Sequence, residues 1–210
     1  MLACGGLRQR FDAMATASIP ANSNLNAVAT VSGYFSSAER ERIIALGSAR
    51  AATEATVSAA RKRPAEALSA LRKTTVTWLQ RDASTADLFA KIERIAQDIN
   101  KRFYKFELAG FGDPIQFTRY EKTGDYYTWH QDLGGGPMSL RKLSLVVQLS
   151  DPATYRGCNL QIYSDGEPSD MARAQGTILI FPSWHLHRVT PLEEGIRYSL
   201  VTWIAGPPFR

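Results

Sequence analysis

The feature that most constrains the fold is a change in sequence character that follows Asn100. From there on, short runs rich in aromatic and β-branched residues alternate with clusters of Gly, Pro, Asp and Ser. Runs separated in this way predict antiparallel strands of a sandwich or barrel, and not alternating strand and helix units. The predicted strands are residues 114–120, 126–130, 143–149, 159–163, 176–181, 187–190 and 197–204.

Two helices are predicted before these strands. Ser36 or Ser37 can cap the first helix, which is expected to end near Leu46. The second is predicted to begin with a capping box formed by Ser84 and Asp87, and apolar residues then recur at helical spacing. Helices followed by strands predict a mainly β, α+β architecture with the N-terminal helices packed on one sheet.

The length of 210 residues fits one domain. Residues 1–25 lack periodicity and are predicted to form a flexible leader, which leaves a single domain over residues 26–210. Residues 51–71 are Ala-rich, and their pattern fits a helix and a loop equally. The basic run at 61–63 within them is interpreted as a solvated face rather than a lid over a substrate.

Composition excludes several classes of protein. No apolar run reaches the roughly 18 residues that a membrane span needs, so no membrane partner is expected. Arg8 and Arg10 interrupt the region in which a secretory signal needs its apolar stretch. Cys4 and Cys158 are the only cysteines, which suits a reducing cytoplasm. The net charge of +5 permits a nucleic-acid partner without requiring one.

All three histidines lie in two short motifs. His130 and Asp132 are two residues apart, so in an extended segment both side chains point to the same side. His185 and His187 both lie in the second motif, which can bring one more imidazole to that point from a neighbouring strand. Two histidines and one carboxylate form the ligand set of non-haem Fe(II) oxygenases.

Arg197 begins the last predicted strand, in which apolar residues such as Leu200 and Val201 follow it. A charged group that points into an apolar barrel is costly unless it is paired. A planar guanidinium is suited to binding a carboxylate through two hydrogen bonds. The sequence therefore predicts a carboxylate anchor inside the barrel.

Seven segments of the chain carry a further signal through their order and spacing. They are QFTRY at 116–120, GDYYTWHQD at 124–132, RKLSL at 141–145, FPSW at 181–184, HRVTP at 187–191, GIRYSLVTW at 195–203 and GPPFR at 206–210. In these segments, and from about Arg72 onward, the chain resembles the iron(II)- and 2-oxoglutarate-dependent dioxygenases of the prolyl 4-hydroxylase type, above all their small bacterial and phage members. The resemblance implies a double-stranded β-helix, or jelly roll, with the metal at the open mouth of the barrel.

The resemblance assigns His130, Asp132 and His187 as iron ligands. It prefers His187 to His185, because the Val-x-Pro pattern follows His187 and the basic cosubstrate anchor lies ten residues further on. That anchor is Arg197, which would hold the distal carboxylate of 2-oxoglutarate. Further implied cosubstrate contacts are Tyr120, Gln148 and Ser199, and residues near the substrate mouth are His185, Trp203 and Trp129.

The implied activity is hydroxylation of an unactivated C–H bond, in a prolyl or other residue of a peptide or protein, with release of succinate and CO₂. Fe(II), 2-oxoglutarate and O₂ are the implied cofactors, with ascorbate as a supporting reductant. Two alternatives stay open: the same chemistry on a free amino acid or small metabolite, and a non-catalytic metal-binding jelly-roll module. Related nucleic-acid demethylases carry a second Arg shortly after the distal His, and residues 189–196 contain none. Cys158 and Asn159 depart from the family's Gly-Gly-acidic pattern, which leaves the substrate open.

Overall fold

The computed structural model describes residues 22–54, 71–164 and 166–209. Most of the predicted leader, most of the Ala-rich segment and the basic run at 61–63 lie outside the described residues. In the described ranges, no helix has both the length and the apolar character needed to cross a membrane.

The two predicted helices are present as α1 (Ser37–Ala49) and α2 (Ala86–Ile99). A π-helical turn, Asn100–Tyr104, extends α2, and short 3-10 turns cover Ser23–Asn26, Gly136–Leu140 and Pro152–Thr154. The strands are β1 (Ala29–Val31), β2 (Thr53–Glu54), β3 (Arg72–Lys73), β4 (Thr75–Leu79), β5 (Gly110–Phe111), β6 (Ile115–Tyr120), β7 (Tyr126–His130), β8 (Arg141–Gln148), β9 (Tyr155–Gly157), β10 (Leu160–Ser164), β11 (Glu167–Asp170), β12 (Ile178–Pro182), β13 (His187–Val189), β14 (Leu192–Gly195) and β15 (Arg197–Ala205).

The strands form a large sheet, a smaller sheet and a separate pair, and their described pairings are antiparallel. The large sheet has the order β1-β12-β8-β15-β6-β4-β2, with β5 paired to β15. The smaller sheet has the order β11-β10-β13-β7-β3, and β9 pairs with β14.

Strand β8 shows how the layers pack, because every one of its residues is buried. Leu143, Leu145 and Val147 face one side and join the core that contains Ile43 of α1 and the apolar face of α2. Val146 faces the other side, in a second core shared by both sheets. The helices therefore cover one face of the large sheet, and the smaller sheet covers the other. The predicted mainly β architecture with N-terminal helices on one sheet is confirmed.

The predicted capping box at Ser84 is wrong. Helix α2 begins after Thr85, which makes no side-chain capping bond. The Ser84 hydroxyl instead donates to Asp82 Oδ1 at 2.6 Å, and the Asp87 carboxylate pairs with Arg42. Because both side chains are engaged elsewhere, neither is available to cap the helix.

Helix α1 forms a capping box at its first turn. Glu39 N–H donates to the Ser36 hydroxyl at 3.4 Å, and Ser36 N–H donates to Glu39 Oε2 at 2.8 Å. The prediction that Ser36 caps this helix is confirmed.

Candidate metal centre

Two strands of the smaller sheet place the histidines opposite each other. His130 ends β7, His187 begins β13, and the two are direct partners in register. Asp132 follows β7 and is held by its N–H, which donates to the Ser183 carbonyl at 3.0 Å. One ligand atom from each of the three side chains lies within 4.8 Å of the others. His130, Asp132 and His187 are named the triad below.

The triad is arranged around the Asp132 carboxylate. Its Oδ1 lies 3.8 Å from His130 Nε2, and its Oδ2 lies 3.5 Å from His187 Nε2. Each imidazole uses its other nitrogen on the backbone: Nδ1 of His130 lies 2.8 Å from the Thr128 carbonyl, and Nδ1 of His187 lies 2.9 Å from the His185 carbonyl. A carbonyl only accepts, so each Nδ1 carries the proton and each Nε2 keeps its lone pair for a ligand.

The environment also sets the charges of the triad. Burial, together with the neighbouring His187, lowers the pKa of His130 well below its usual value. Burial alone would raise the pKa of Asp132, but His187, His130 and the hydroxyl of Ser144 outweigh it and hold this pKa below its usual value. The Ser144 hydroxyl donates to Asp132 Oδ2 at 2.6 Å. Near neutral pH the triad therefore offers a neutral His130 and an ionised carboxylate, as metal binding requires.

This donor set fits a ferrous ion. Two imidazole nitrogens and one carboxylate oxygen converge on one point, and backbone and hydroxyl hydrogen bonds already orient each of them. Three protein ligands leave the remaining coordination positions open for other groups.

A pocket of about 200 Å³ adjoins the triad and is lined by residues of both sheets. Alternate residues of β15 line it, from Arg197 through Ser199 and Val201 to Trp203. Trp78 and Met138 also contribute. Such a mostly apolar cleft with a few convergent polar groups is the usual form of a small-molecule site.

Arg197 is buried in this pocket at 1% exposure. Its Nη2 donates to Gln148 Oε1 at 2.8 Å and its Nη1 to the Ser199 hydroxyl at 3.4 Å, while the guanidinium lies 5.4 Å from the centre of the Tyr120 ring. Among the described residues, no carboxylate lies within 4.0 Å of it. A buried cation without a counter-ion fits a carboxylate supplied by a ligand.

The other predicted site residues divide into two groups. Tyr120, Ser199 and Trp203 line the pocket, and Gln148 lies behind it, bonded to Arg197. Burial raises the pKa of Tyr120 to about 12, so its hydroxyl stays protonated and can donate.

Trp129 and His185 are not brought to the pocket. Trp129 contacts Tyr163, with ring centroids 6.0 Å apart, and the Arg188 guanidinium lies 4.6 Å from its ring. The Nε2 of His185 lies 3.0 Å from the Leu25 carbonyl. These two side chains pack against other parts of the protein.

The sequence reasoning missed several residues of this site, among them Tyr127, Ser144, Arg72 and Arg141. Tyr127 was missed because strand alternation places it opposite His130 in β7. A β-bulge between β7 and β13, in which Val189 pairs with Tyr127, brings both side chains to the pocket. Arg141 begins a strand in which Leu143 and Leu145 follow it, much as Arg197 begins β15, and this likeness was the available signal.

Comparison with known proteins agrees with this geometry. Residues 115–205, which include the triad and Arg197, match the family model of the 2OG-Fe(II) oxygenase superfamily. A PKHD-type hydroxylase of Synechococcus elongatus is 33% identical over 132 residues, which cover 60% of this chain and 59% of the relative. A PKHD-type hydroxylase of Cupriavidus metallidurans is 34% identical over 115 residues, which cover 52% of this chain and 50% of the relative. This chain thus spans less than two thirds of the length of these curated relatives.

Solved structures share the fold at lower identity. A Pseudomonas putida prolyl-4-hydroxylase is 20% identical, with a TM-score of 0.65 over 87% of this chain and 94% of that chain. A Trichoplax adhaerens prolyl hydroxylase, solved with a hypoxia inducible factor peptide, is 17% identical, with a TM-score of 0.71 over 87% of this chain and 84% of that chain. The fold of this chain is a jelly roll, as in these 2OG oxygenase neighbours. The predicted resemblance of this chain to the prolyl hydroxylase-like members of that superfamily is confirmed.

Proposed function

We propose that this protein is an Fe(II)- and 2-oxoglutarate-dependent dioxygenase that hydroxylates an unactivated C–H bond, with a prolyl or other residue of a peptide or protein as substrate. The observation that carries this proposal is the presence, in one pocket, of the triad and of the Arg197 guanidinium, which has no carboxylate partner among the described residues. A non-catalytic metal module would need the triad alone, because it has no dicarboxylate to anchor.

In this proposal, His130, Asp132 and His187 hold Fe(II), and Arg197 receives the distal carboxylate of 2-oxoglutarate with Tyr120 and Ser199 beside it. When bound, the metal, 2-oxoglutarate and O₂ supply the oxidation that places a hydroxyl on the substrate carbon, with release of succinate and CO₂. Ascorbate, as a supporting reductant, belongs to the same proposal.

The protein's own residues position the reactants and exclude water. The backbone carbonyls behind the two imidazoles fix the direction of each Nε2, and Ser144 fixes the carboxylate. Val146, Leu160 and Val189 give the pocket an apolar wall that keeps bulk water from the reacting groups.

The aromatic side of the pocket suits an apolar ring. Trp78 and Trp203 lie with ring centroids 6.4 Å apart, and Met138 lines the same pocket. These side chains offer flat, polarisable surfaces on which a prolyl ring can pack. They support a prolyl residue as the first substrate to be examined.

We also propose a domain organisation and a cellular location for this protein. We treat residues 26–210 as a single dioxygenase domain, preceded by a leader. A cytoplasmic location is supported by the low cysteine content and by Cys158, which is buried as a free thiol. Neither a membrane nor a nucleic acid is proposed as a partner.

The test is a substrate screen. The full chain, supplied with Fe(II), 2-oxoglutarate, O₂ and ascorbate, is incubated with proline-containing peptides and with free amino acids, while succinate and the mass of each candidate are measured. We expect succinate to rise with one class of candidate, whose mass increases by one oxygen atom. If oxygen is added only to free amino acids, the substrate is a free amino acid and the proposal of a peptide substrate is wrong. Failure of the chain to bind 2-oxoglutarate in the presence of a divalent metal would contradict the proposal as a whole.

A further inference from the structure

We infer that Arg72 binds a carboxylate of the substrate, so that this pocket takes an acidic substrate. The carboxylate would be either the free main-chain carboxylate of an amino acid or C-terminal residue, or an Asp or Glu side chain beside the oxidised residue of a peptide. This inference rests on the proposed function and adds to it the charge of the substrate.

Arg72 is a buried cation that has no counter-ion among the described residues. It lies in β3, is 8% exposed and lines the same pocket as the triad. Its Nη1 donates one long hydrogen bond of 3.4 Å to Gln116 Oε1, and its Nε has no partner in the described ranges. Within those ranges no carboxylate lies within 4.0 Å of the guanidinium. Its N–H groups are therefore available to an anion.

The flat face of the Arg72 guanidinium packs on an aromatic ring, which holds the group in place. It lies 4.5 Å from the centre of the Tyr127 ring, and the other partner of that ring is the imidazole of His130, with centroids 3.5 Å apart. A cation stacked on an aromatic face keeps its N–H edge for bonds in its own plane. Arg72 is thus fixed one ring away from a residue of the triad.

Arg141 shows how a structural arginine behaves in this pocket. It is also 8% exposed, and its guanidinium lies 3.7 Å from the centre of the Trp203 ring. Its Nε and Nη2 each lie 3.0 Å from Asp113 Oδ2, so its charge is neutralised by the protein itself. Arg72 shares the burial and the aromatic contact of Arg141 but has no such carboxylate in the part of the chain that the structure describes.

Each carboxylate of the proposed cosubstrate already has a partner in the pocket. 2-Oxoglutarate has two carboxylates, of which the proposed function gives one to Arg197 and the other to the metal. Arg72 then remains as a buried guanidinium for which the cosubstrate offers no anion. Burying a charge is costly until an opposite charge enters, so a substrate that brings a carboxylate is favoured over a neutral one.

The experiment measures this preference without turnover. The full chain is loaded with Mn(II), which is not oxidised here, and with 2-oxoglutarate, and ligand binding is followed by calorimetry. The first set of probes is N-acetyl-L-amino acids, each compared with its primary amide. The second is capped peptides that contain Asp or Glu next to a prolyl residue, each compared with the Asn or Gln peptide. The first set reports a main-chain carboxylate, and the second reports a side-chain carboxylate.

In the wild-type chain we expect at least one acid to bind about tenfold or more tightly than its neutral counterpart, as for hydrogen bonds that involve a charged group. Arg72→Gln should remove this preference, and Arg72→Lys should keep part of it. The matched control is Arg119→Gln, because Arg119 lies outside the pocket lining and pairs with Glu121. This variant should keep the full preference.

Two results would overturn the inference. One is a wild-type chain that binds 2-oxoglutarate but prefers no acid in either set, a result that needs no variant to interpret. The other is an Arg72→Gln variant that keeps the preference for the acid, or that weakens 2-oxoglutarate binding instead. A wild-type chain that does not bind 2-oxoglutarate would contradict the proposed function itself, so the two failures can be told apart.

Discussion

The imidazole of His130 stacks on the phenol ring of Tyr127, with ring centroids 3.5 Å apart and planes inclined by 16°. The two rings meet because a β-bulge turns Tyr127 toward the pocket that His130 also lines. The stack and the hydrogen bond from Nδ1 to the Thr128 carbonyl together fix the ring.

We therefore expect Tyr127→Ala to weaken metal binding by about tenfold or more, the usual range for residues that orient a metal ligand. Mn(II) affinity of the purified chain, measured by calorimetry, checks this. Tyr127→Phe is the matched control, since it keeps the ring and should bind Mn(II) as the wild type does. Equal affinities for the Ala and Phe variants would show that the stack does not orient His130.

Ser144 supports the carboxylate of the triad, because its hydroxyl donates to Asp132 Oδ2 at 2.6 Å. Removal of this donor in Ser144→Ala should raise the pKa of Asp132 toward its usual value. The proton then competes with the metal at higher pH, so the acid midpoint of Mn(II) binding should move upward. Affinity measured across the acid range tests this shift. Ser139→Ala, at an exposed turn, should leave the midpoint unchanged.

The burial of His130 predicts how the stability of the metal-free chain depends on pH. Its pKa in the folded protein lies below the ordinary value of 6.5, so below pH 6.5 the unfolded chain binds more protons than the folded one. Stability should therefore fall as the pH decreases below 6.5 and should be fully present above it. His130→Gln should reduce this dependence, which thermal unfolding at a series of pH values measures. An unchanged slope in the variant would contradict the assignment to His130.

Arg197 predicts the affinity for the cosubstrate. Truncation in Arg197→Ala removes the guanidinium that the distal carboxylate needs, and loss of one partner of a buried charge pair costs about 2–5 kcal/mol. The dissociation constant of 2-oxoglutarate in the Mn(II)-loaded chain should rise by about thirtyfold or more. Arg119→Gln again serves as the control, and wild-type affinity in Arg197→Ala would exclude this role.

Much of the fold follows from the sequence, because its strands and helices carry local patterns. Runs rich in aromatic and β-branched residues, bounded by turn residues, predicted β6, β7, β8 and β15 to within about two residues at each end. The pair His130 and Asp132 was predictable for the same reason, because the two residues are close in sequence. The choice of His187 over His185 came from the family resemblance and not from a local pattern.

The parts that the sequence did not predict depend on contacts between distant segments. Strand β3 has two residues, too few for any periodicity, so the position of Arg72 in the pocket had no local signal. Tyr127 reaches the pocket through a bulge that alternation does not include. No capping box forms at Ser84, because the Ser84 hydroxyl bonds to Asp82 and the Asp87 carboxylate pairs with Arg42.

The central claim is that the triad and Arg197 bind Fe(II) and 2-oxoglutarate together in one pocket. Its most direct test is anaerobic titration of the chain with Fe(II) in the presence of 2-oxoglutarate, followed by visible absorption. We predict a weak metal-to-ligand charge-transfer band in the wild type that is absent in Asp132→Ala. No band in the folded wild-type chain, or a band of full strength in Asp132→Ala, would contradict the account.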